Sequence, residues 1–267
     1  IDCKDLTSVA FDDGLTSIGE LAFYGCSGLT SVAIPDHVTS IGKWAFYGCS
    51  GLTSVEIPDH VTSIGRDAFG GCSGLARVTV SQYACDCGLV TILGNNQALT
   101  EIVLSANVTN LVASSWKLPF LYLPSVEKVS VEAGNQHYKA VGGLLLTKDG
   151  KDVVFVPEGR SYVFIPDSVT HLPSYAFNNN TQIDRNTDSS GIESIDGWVV
   201  GYNRSRLPSK LVLNGYRGIA DGVFRYCDSL TSVTIGEGVV SIGASAFSEC
   251  TKLASVTIPA SVMSIGE

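Results

Sequence analysis

The chain has 267 residues, 45% of them hydrophobic, which is enough apolar material for a sizeable core and excludes a disordered protein. Its formal net charge is −9 and it contains no run of Lys and Arg, so we expect neither nucleic-acid binding nor attraction to anionic lipid. No apolar run approaches the roughly 20 residues of a membrane helix, so we expect no membrane insertion.

A period of 23 residues organises the first part of the chain. The stretch LTSVAIPDHVTSIGKWAFYGCSG, residues 29–51, is followed at once by its near copy LTSVEIPDHVTSIGRDAFGGCSG, residues 52–74. Apolar and Cys positions recur at this spacing, among them Cys3, Cys26, Cys49 and Cys72, and Phe23, Phe46 and Phe69. The spacing returns near the other end, at Cys227 and Cys250. A fixed period of this length is typical of a solenoid, in which stacked copies bury one another's apolar faces.

Each copy predicts one short strand followed by turns. In the first full copy, the alternation of Val32 and Ile34 predicts a strand with one buried face, and Pro35 ends it. Ile41 then returns the chain to the core, and the segment KWAFYGC carries Phe46 inward on a turn or short helix. We therefore expect about ten such strands, stacked in a single parallel ladder.

The middle of the chain departs from the regular period and contains two insertions. The apolar positions from Ile102 to Trp116 keep the spacing of a repeat, and residues 162–177 and 210–224 are further copies. The first insertion, residues 138–157, places KDGK between two apolar runs, which predicts a hairpin. The second, residues 181–209, begins with a polar loop and continues with IESIDGWVVGYN, which predicts another hairpin. We interpret the chain as one solenoid domain, with regular repeats at 1–98 and 206–267 and irregular repeats with insertions at 99–205.

The phrase IPxxVTSIGxxAF, which recurs with its flanking LTSV and GC, resembles the BspA-like leucine-rich repeats. That resemblance implies a leucine-rich-repeat-like solenoid. Short parallel β-strands would line its concave face, turns and short helices would lie on the convex side, and the two insertions would form hairpins or loops. It also implies a bacterial protein that is secreted or held at the cell surface and adheres to other molecules.

The eight Cys residues raise the question of disulfides and metals. Six of them share one repeat position, where we expect reduced and buried thiols, although neighbouring rungs are close enough for a disulfide. Cys85 and Cys87 break the period and predict either two loop thiols or a strained or intermolecular disulfide. The aligned pairs at 36–37 and 59–60, each Asp followed by His, are compatible with solvated turns or with a divalent ion. We expect solvated turns, no metal and no cofactor.

The strand residues that alternate with the buried positions are the candidates for binding. At both ends of the chain they are small and polar, whereas in the centre they are apolar and aromatic. Either these central side chains form an exposed interaction patch or the inserted hairpins cover them. Tyr138 and Trp198 in the insertions are candidate exposed platforms for a glycan. The predicted binding residues are Val103, Lys128, Tyr138, Tyr162, Phe164, Trp198, Lys210 and Val212.

Catalytic motifs such as GxSxG, HExxH and the Walker loop are missing from the sequence, so we expect no enzymatic activity. The preferred hypothesis is a monomeric, secreted or cell-surface adhesion module that recognises a protein on a host or neighbouring cell. The alternative is a glycan-binding or scaffold segment of a larger secreted protein. The sequence begins and ends within a repeat, so we expect it to be a fragment, with the signal peptide outside it.

Overall fold

The structure is a computed structural model that describes residues 1–12, 14–94, 96–111, 120, 122–177 and 180–267. These residues form two compact units. Unit 1 comprises Ile1–Lys148 with Phe155–Arg160, and unit 2 comprises Asp149–Val154 with Ser161–Glu267. Within each unit, short parallel strands stack rung upon rung, which confirms the predicted leucine-rich-repeat-like solenoid. Trp116, expected to lie in a core position, is outside the described residues.

The elements of unit 1 are short, as a coil that turns every few residues requires. In chain order they are β1 (Ser17–Ile18), β2 (Ser40–Ile41), β3 (Ser54–Glu56), β4 (Ser63–Ile64), β5 (Arg77–Val80), α1 (Gln82–Cys87), α2 (Leu89–Leu93), β6 (Glu101–Leu104), β7 (Lys128–Val131), β8 (Tyr138–Val141) and β9 (Leu144–Thr147). Strand β10 (Val153–Phe155) lies where the chain passes from one unit to the other.

Unit 2 repeats the same design with longer strands near its start. Its elements are β11 (Asn186–Thr187), β12 (Ile192–Ile195), β13 (Trp198–Tyr202), β14 (Lys210–Leu213), β15 (Gly218–Ile219), β16 (Ser232–Ile235), β17 (Ser241–Ile242), β18 (Ser255–Thr257) and β19 (Ser264–Ile265).

The predicted strand ladder exists in both units but is shorter than expected. In unit 1 the order β3-β5-β6-β7 is parallel throughout, and in unit 2 the order is β14-β16-β18. The expected single ladder of about ten strands is therefore wrong for the described residues, which form two separate ladders of four and three strands. The segment from Leu29 to Ile34 is not a strand, although the backbone N–H of Thr30 donates to the carbonyl of Thr7 in the preceding rung at 3.3 Å.

A second parallel ladder, which sequence reasoning missed, is formed mainly by the Ser-Ile pairs of the SIG segments, joined in unit 2 by β13 and by the Gly-Ile pair of β15. It has the order β1-β2-β4 in unit 1 and β13-β15-β17-β19 in unit 2. These strands are only two residues long except for β13, so they leave no alternation that a sequence pattern detects. Each repeat is thus bonded to its neighbours along two edges rather than one.

The inserted segments both contain antiparallel hairpins. In unit 2, β12 pairs with β13 through a turn at Asp196 and Gly197, whose φ angles of 46° and 79° suit a type I′ turn. This confirms the second predicted hairpin. In unit 1, β8 pairs with β9 through Gly142 and Gly143, a turn that the sequence analysis did not predict. The KDGK segment connects β9 to β10 and so lies between two strands, as predicted.

Two glycines of the repeat allow adjacent rungs to approach closely. A Cβ atom at Gly51 would lie 2.6 Å from the carbonyl oxygen of Ser27 in the preceding repeat. In unit 2, a Cβ atom at Gly243 would lie 2.5 Å from the backbone nitrogen of Asp221. Real Cβ atoms do not come this close to backbone, so the glycines at these two positions permit the stacking distance that the ladders require.

Columns of identical side chains fill the core. In unit 1 the rings of Phe23, Phe46 and Phe69 are stacked, with centroids 5.2 and 5.1 Å apart. Phe224 and Phe247 form the same stack in unit 2 at 5.2 Å. These distances match the spacing between neighbouring strands of a sheet, so each repeat places its ring directly over the previous one.

The Cys column is a column of free thiols, as predicted. Cys26, Cys49 and Cys72 are buried, and the Sγ atoms of the last two each donate to a Phe carbonyl of the preceding repeat at 3.2 Å. Burial raises the pKa of Cys49 to about 11 and that of Cys72 to about 12, which keeps both in the thiol form. The expectation fails at the terminal rungs, where Cys3 is exposed and Cys250 is half-buried.

The two Cys residues outside the period were predicted to lie in a loop, and that expectation is wrong. Both belong to α1, which Ser81 caps by accepting a hydrogen bond from the backbone N–H of Ala84. Cys85 is buried and Cys87 is half-buried, and both are free thiols. Burial raises the pKa of Cys85 to about 12, so this thiol is unreactive in the folded protein.

Candidate functional site

The strand face of unit 1, formed by the outward residues of β3, β5, β6 and β7, carries a row of charges. Arg77, Glu101 and Lys128 occupy the same register position on three adjacent strands. The Glu101 carboxylate lies 3.2 Å from the Arg77 guanidinium and 2.8 Å from the Lys128 ammonium, and it accepts a 2.6 Å hydrogen bond from Ser130. Burial alone would raise the pKa of Glu101, but the bonds from Lys128 and Ser130 and the two cations together lower it.

Two predicted binding residues of unit 1 are buried, so their expected exposure is wrong. Val103 lies on β6 between Thr79 and Ser130 on the flanking strands and is only 3% exposed, because these neighbours shield its short side chain. Tyr138 is 8% exposed, and its hydroxyl oxygen accepts the backbone N–H of Leu111 at 2.8 Å. Tyr138 is therefore part of the core and not an exposed platform. Lys128, in contrast, is exposed as predicted.

The strand face of unit 2, formed by the outward residues of 162–164 and of β14, β16 and β18, exposes large apolar groups. Tyr162 is 70% exposed and Phe164 is 56% exposed, and they alternate with the buried Val163 and Ile165. On β14, Val212 is 52% exposed. The alternative in which the insertions bury these side chains is thereby excluded. Lys210, at the start of β14, is also exposed.

Trp198 is the third predicted binding residue that the structure places in the core. It is 1% exposed because β13 is a rung of the second ladder, paired in parallel with β15. A Cβ atom at Gly218 of β15 would lie 2.6 Å from the indole ring, so the glycine provides the space that the ring occupies. The insertion in unit 2 therefore contributes a core residue and leaves no exposed tryptophan platform at this position.

A cluster around Arg217 fixes the backbone next to Phe164. The Asp196 carboxylate accepts the backbone N–H of Ile165 at 2.6 Å, and the Arg217 guanidinium donates to the carbonyl of the same residue. Arg217 also bonds the Asp167 carboxylate at 2.6 Å. The exposed aromatic side chains are thus held on a backbone segment that is anchored on both sides by charge-assisted bonds.

His171 of unit 2 bridges two carboxylates. Its Nε2 lies 2.9 Å from an oxygen of Asp221, and its Nδ1 lies 3.5 Å from an oxygen of Asp152. The hydrogen bond with Asp221 raises the pKa of His171, burial opposes this effect, and the charges of Asp221 and Asp152 add to it. Because both ring nitrogens face carboxylates, the geometry suits a charged bridge and not a general base that activates a nucleophile.

This bridge makes the stability of unit 2 depend on pH. The pKa of His171 is raised on folding, so its contribution is complete below the unfolded value of about 6.5 and is lost as pH rises through the folded value. We expect the melting temperature to fall between about pH 6 and about pH 8.5, and the fall to be smaller in His171→Asn. The exposed His137→Asn is the control, and thermal melts of the three proteins at both pH values measure the effect. An equal pH dependence in wild type and His171→Asn would contradict it.

Of the aligned Asp and His pairs, Asp59 and His60 are engaged in structural bonds, whereas Asp36 and His37 are exposed. His60 Nε2 lies 2.9 Å from the carbonyl oxygen of Pro35, and the Asp59 carboxylate accepts hydrogen bonds from Ser105 and Asn107 at 2.8 and 2.7 Å. Over the described ranges, no group of three or more His, Cys, Asp or Glu side chains is placed so that it could hold a metal ion. Nor does any helix in those ranges have the length and apolar character needed to cross a bilayer.

A cleft beside β7 is a feature that sequence reasoning missed. Its volume is 480 Å³, and it lies between β7 and the β8–β9 hairpin of unit 1. Lys128, Lys139 and Lys148 line it together with Ser130. Lys128 was predicted from its position on the strand face, but the other two lysines are separated in the sequence and are brought together only by the hairpin.

Comparison with protein-family models gives one match. The model described as the BspA type leucine rich repeat region matches six copies, over residues 1–117, 155–206 and 217–267. These ranges cover most of the chain, including all of 1–98 and most of 206–267. A comparison with curated proteins finds no match.

Several solved structures are similar to this chain. A leucine-rich repeat protein from Eubacterium ventriosum is 19% identical with a TM-score of 0.43, over 97% of this chain and 74% of that one. One from Bacteroides ovatus is 21% identical with a TM-score of 0.35, over 99% and 70%. A leucine rich cell surface protein from Faecalibacterium prausnitzii is 23% identical with a TM-score of 0.30, over 98% and 79%. At these identities and scores, they carry no argument about function.

Proposed function

Because the chain belongs to the BspA-type leucine-rich repeat family, we propose that it is a non-catalytic, secreted or cell-surface binding module of a bacterium. Its partner is a protein on a host or neighbouring cell. The repeats act as a rigid scaffold, and the outward residues of the strands contact the partner. Adhesion follows from this role, since a stacked scaffold presents an extended surface for recognition.

The observation that carries the proposal is the exposure of Tyr162, Phe164 and Val212 on the strand face of unit 2. Large apolar side chains that a rigid backbone keeps exposed to solvent mark interaction sites, and aromatic residues dominate the energetics of protein interfaces. The equivalent outward positions on β16 and β18 are Ser and Thr, so the apolar character is local to these rungs. Lys210 adds a charge at the edge, as expected for a polar rim.

A glycan-binding role has less support than the protein-binding role. It was expected to rest on Tyr138 and Trp198, and both rings are buried. Tyr162 remains exposed, but it is accompanied by aliphatic and phenyl groups that suit a protein surface better than a sugar. Both ring nitrogens of His171 face carboxylates, and this bridging geometry supports a module without catalytic activity.

The experiment is a binding screen of the chain against matrix and cell-surface proteins, with a glycan array in parallel. We expect at least one protein to bind, and we expect Tyr162→Ala/Phe164→Ala to weaken it by about thirtyfold or more, since a hot-spot residue contributes about 2 kcal/mol. The control is Tyr226→Asn, which removes an aromatic ring that is 58% exposed elsewhere in unit 2. Asn tolerates the positive φ angle of 61° at that position.

Two results would contradict the proposal. If the double variant binds as tightly as the wild type, the aromatic side chains are not the site. If the glycan array gives saturable binding while every protein fails to bind, the partner class is wrong. Circular dichroism of each variant shows whether it is still folded.

A further inference from the structure

The lysine-lined cleft of unit 1 has the geometry of a binding site. One wall is β7 and the other is the β8–β9 hairpin, and the backbone N–H of Val129 donates to the carbonyl of Gly143 at 3.3 Å to join them. The volume of 480 Å³ falls within the range of pockets that hold small ligands or a few residues of a peptide. The cleft exists because the hairpin turns at Gly142 and Gly143 instead of continuing the ladder beyond β7.

The cations of the cleft are only partly neutralised. Lys148 donates to the backbone carbonyl of Asn135, a neutral acceptor that leaves its charge uncompensated. In the part of the chain that the structure describes, the ammonium of Lys139 has no hydrogen-bonded or ion-paired partner. Lys128 shares the single carboxylate of Glu101 with Arg77.

The carboxylate that lines the cleft is directed towards backbone. Glu132, at the end of β7, accepts the N–H of Ala106 at 3.0 Å. Three ammonium groups, those of Lys128, Lys139 and Lys148, therefore line the cleft beside one carboxylate, that of Glu132. The result is a local positive site on a chain whose net charge is −9, and such a concentration of one sign attracts the opposite sign.

The cleft also presents the backbone of a strand edge. Lys128 and Glu132 direct their N–H groups to the carbonyls of Thr100 and Leu104, on the side of β6. In a parallel strand, the backbone N–H and C=O groups of alternate residues point to opposite sides. The backbone groups of Val129 and Val131 therefore point towards the cleft. Val129 is bonded to Gly143, whereas Val131 lines the cleft beside the lysines. An extended peptide that enters the cleft would bond the backbone of Val131, as in β-strand addition.

We propose that this cleft binds an acidic peptide segment of the protein partner, with Lys139 and Lys148 pairing with its carboxylates. The proposal rests on the proposed function, which it deepens by naming the chemistry of the partner. A sugar would find no exposed ring to stack on, because Tyr138, the aromatic residue of the cleft, is buried with its hydroxyl bonded. A long polyanion would extend beyond the cleft over a surface of net negative charge, which repels it.

The test uses the full chain and fluorescently labelled hexaglutamate, with hexaglutamine as the uncharged peptide control and an oligomer of glucuronic acid as the acidic-sugar probe. Fluorescence anisotropy gives the affinities at low salt, where the Debye length is about 30 Å, and at physiological salt, where it is about 8 Å. We expect saturable binding of hexaglutamate at low salt, weaker binding at physiological salt and no binding of hexaglutamine.

Charge-reversal variants locate the site. Lys139→Glu is expected to weaken hexaglutamate binding by about tenfold, because an attraction becomes a repulsion. Lys252→Glu, the same change at an exposed position of unit 2, is the control and should leave the affinity for hexaglutamate unchanged. Equal affinities of the wild type and Lys139→Glu, tighter binding of the glucuronic acid oligomer than of hexaglutamate, or no binding at low salt would each overturn the proposal. None of these outcomes changes the effect of Tyr162→Ala/Phe164→Ala on a protein partner, so the two proposals fail separately.

Discussion

Replacement of Asn135 by Ala is expected to lower the free energy of unfolding by about 4 kcal/mol. The side chain is fully buried, and its amide nitrogen donates to the carbonyls of Ser105 and Val108 at 3.0 Å each. Its amide oxygen accepts the N–H groups of His137 and Tyr138 at 2.9 and 2.8 Å. Alanine leaves these four backbone groups without their partner, and each unsatisfied buried group costs about 1–3 kcal/mol.

The matched control is Gln136→Ala at the next position. Gln136 is exposed, and its amide donates only to the nearby carbonyl of Gly134, so its loss should change stability by less than about 0.5 kcal/mol. Urea titrations of the wild type and both variants, followed by circular dichroism, measure the difference. Similar midpoints for Asn135→Ala and the wild type would show that water or backbone shifts replace the four bonds.

Replacement of Phe46 by Ala is the second change with a large expected effect, a loss of about 4 kcal/mol in unfolding free energy. The ring is fully buried between Phe23 and Phe69, so removing it leaves a cavity bounded by two other rings. The rungs cannot close that cavity, because the ladder of β2 and β4 and the stacked backbone around Gly51 fix their spacing. The lost free energy of burying the ring and the free-energy cost of the cavity therefore add to each other.

Phe23→Ala provides the internal comparison. It removes the same ring from the same column, but Phe23 is half-buried, so we expect a smaller loss than at Phe46. Urea titration of the two variants under identical conditions gives both values. Equal losses would mean that the column does not pack as a continuous core.

The repeat architecture was predictable because the same sequence motif recurs many times along the chain. The core columns of Phe, Leu and Cys follow from a spacing of 23 residues, and the family resemblance follows from the same residues. The Ser-Ile ladder was not predictable, since a two-residue strand has no period of its own. The turn at Gly142 and Gly143 was missed because the stronger signal of KDGK lies a few residues further on.

The candidate site was predictable only in part. The outward direction of Tyr162, Phe164 and Val212 follows from their alternation with buried residues, but the sequence left open whether the insertions cover them, and in the structure they are exposed. Trp198 and Tyr138 were misplaced because an insertion was assumed to project into water. In the structure, β13 joins a ladder, and Tyr138 bonds a neighbouring backbone. Composition alone does not distinguish an aromatic residue that projects from one that completes a core.

Binding of the partner by the strand face of unit 2 is tested most directly by hydrogen–deuterium exchange of the full chain, with and without the protein partner identified by the screen. We expect binding of the partner to slow exchange in the backbone of 161–165 and of β14 in unit 2. The turns that carry the Phe columns, such as 44–48 in unit 1 and 222–226 in unit 2, should exchange at the same rate in both states. Protection confined to those turns, with 161–165 and β14 unchanged, would contradict the claim that the strand face binds the partner.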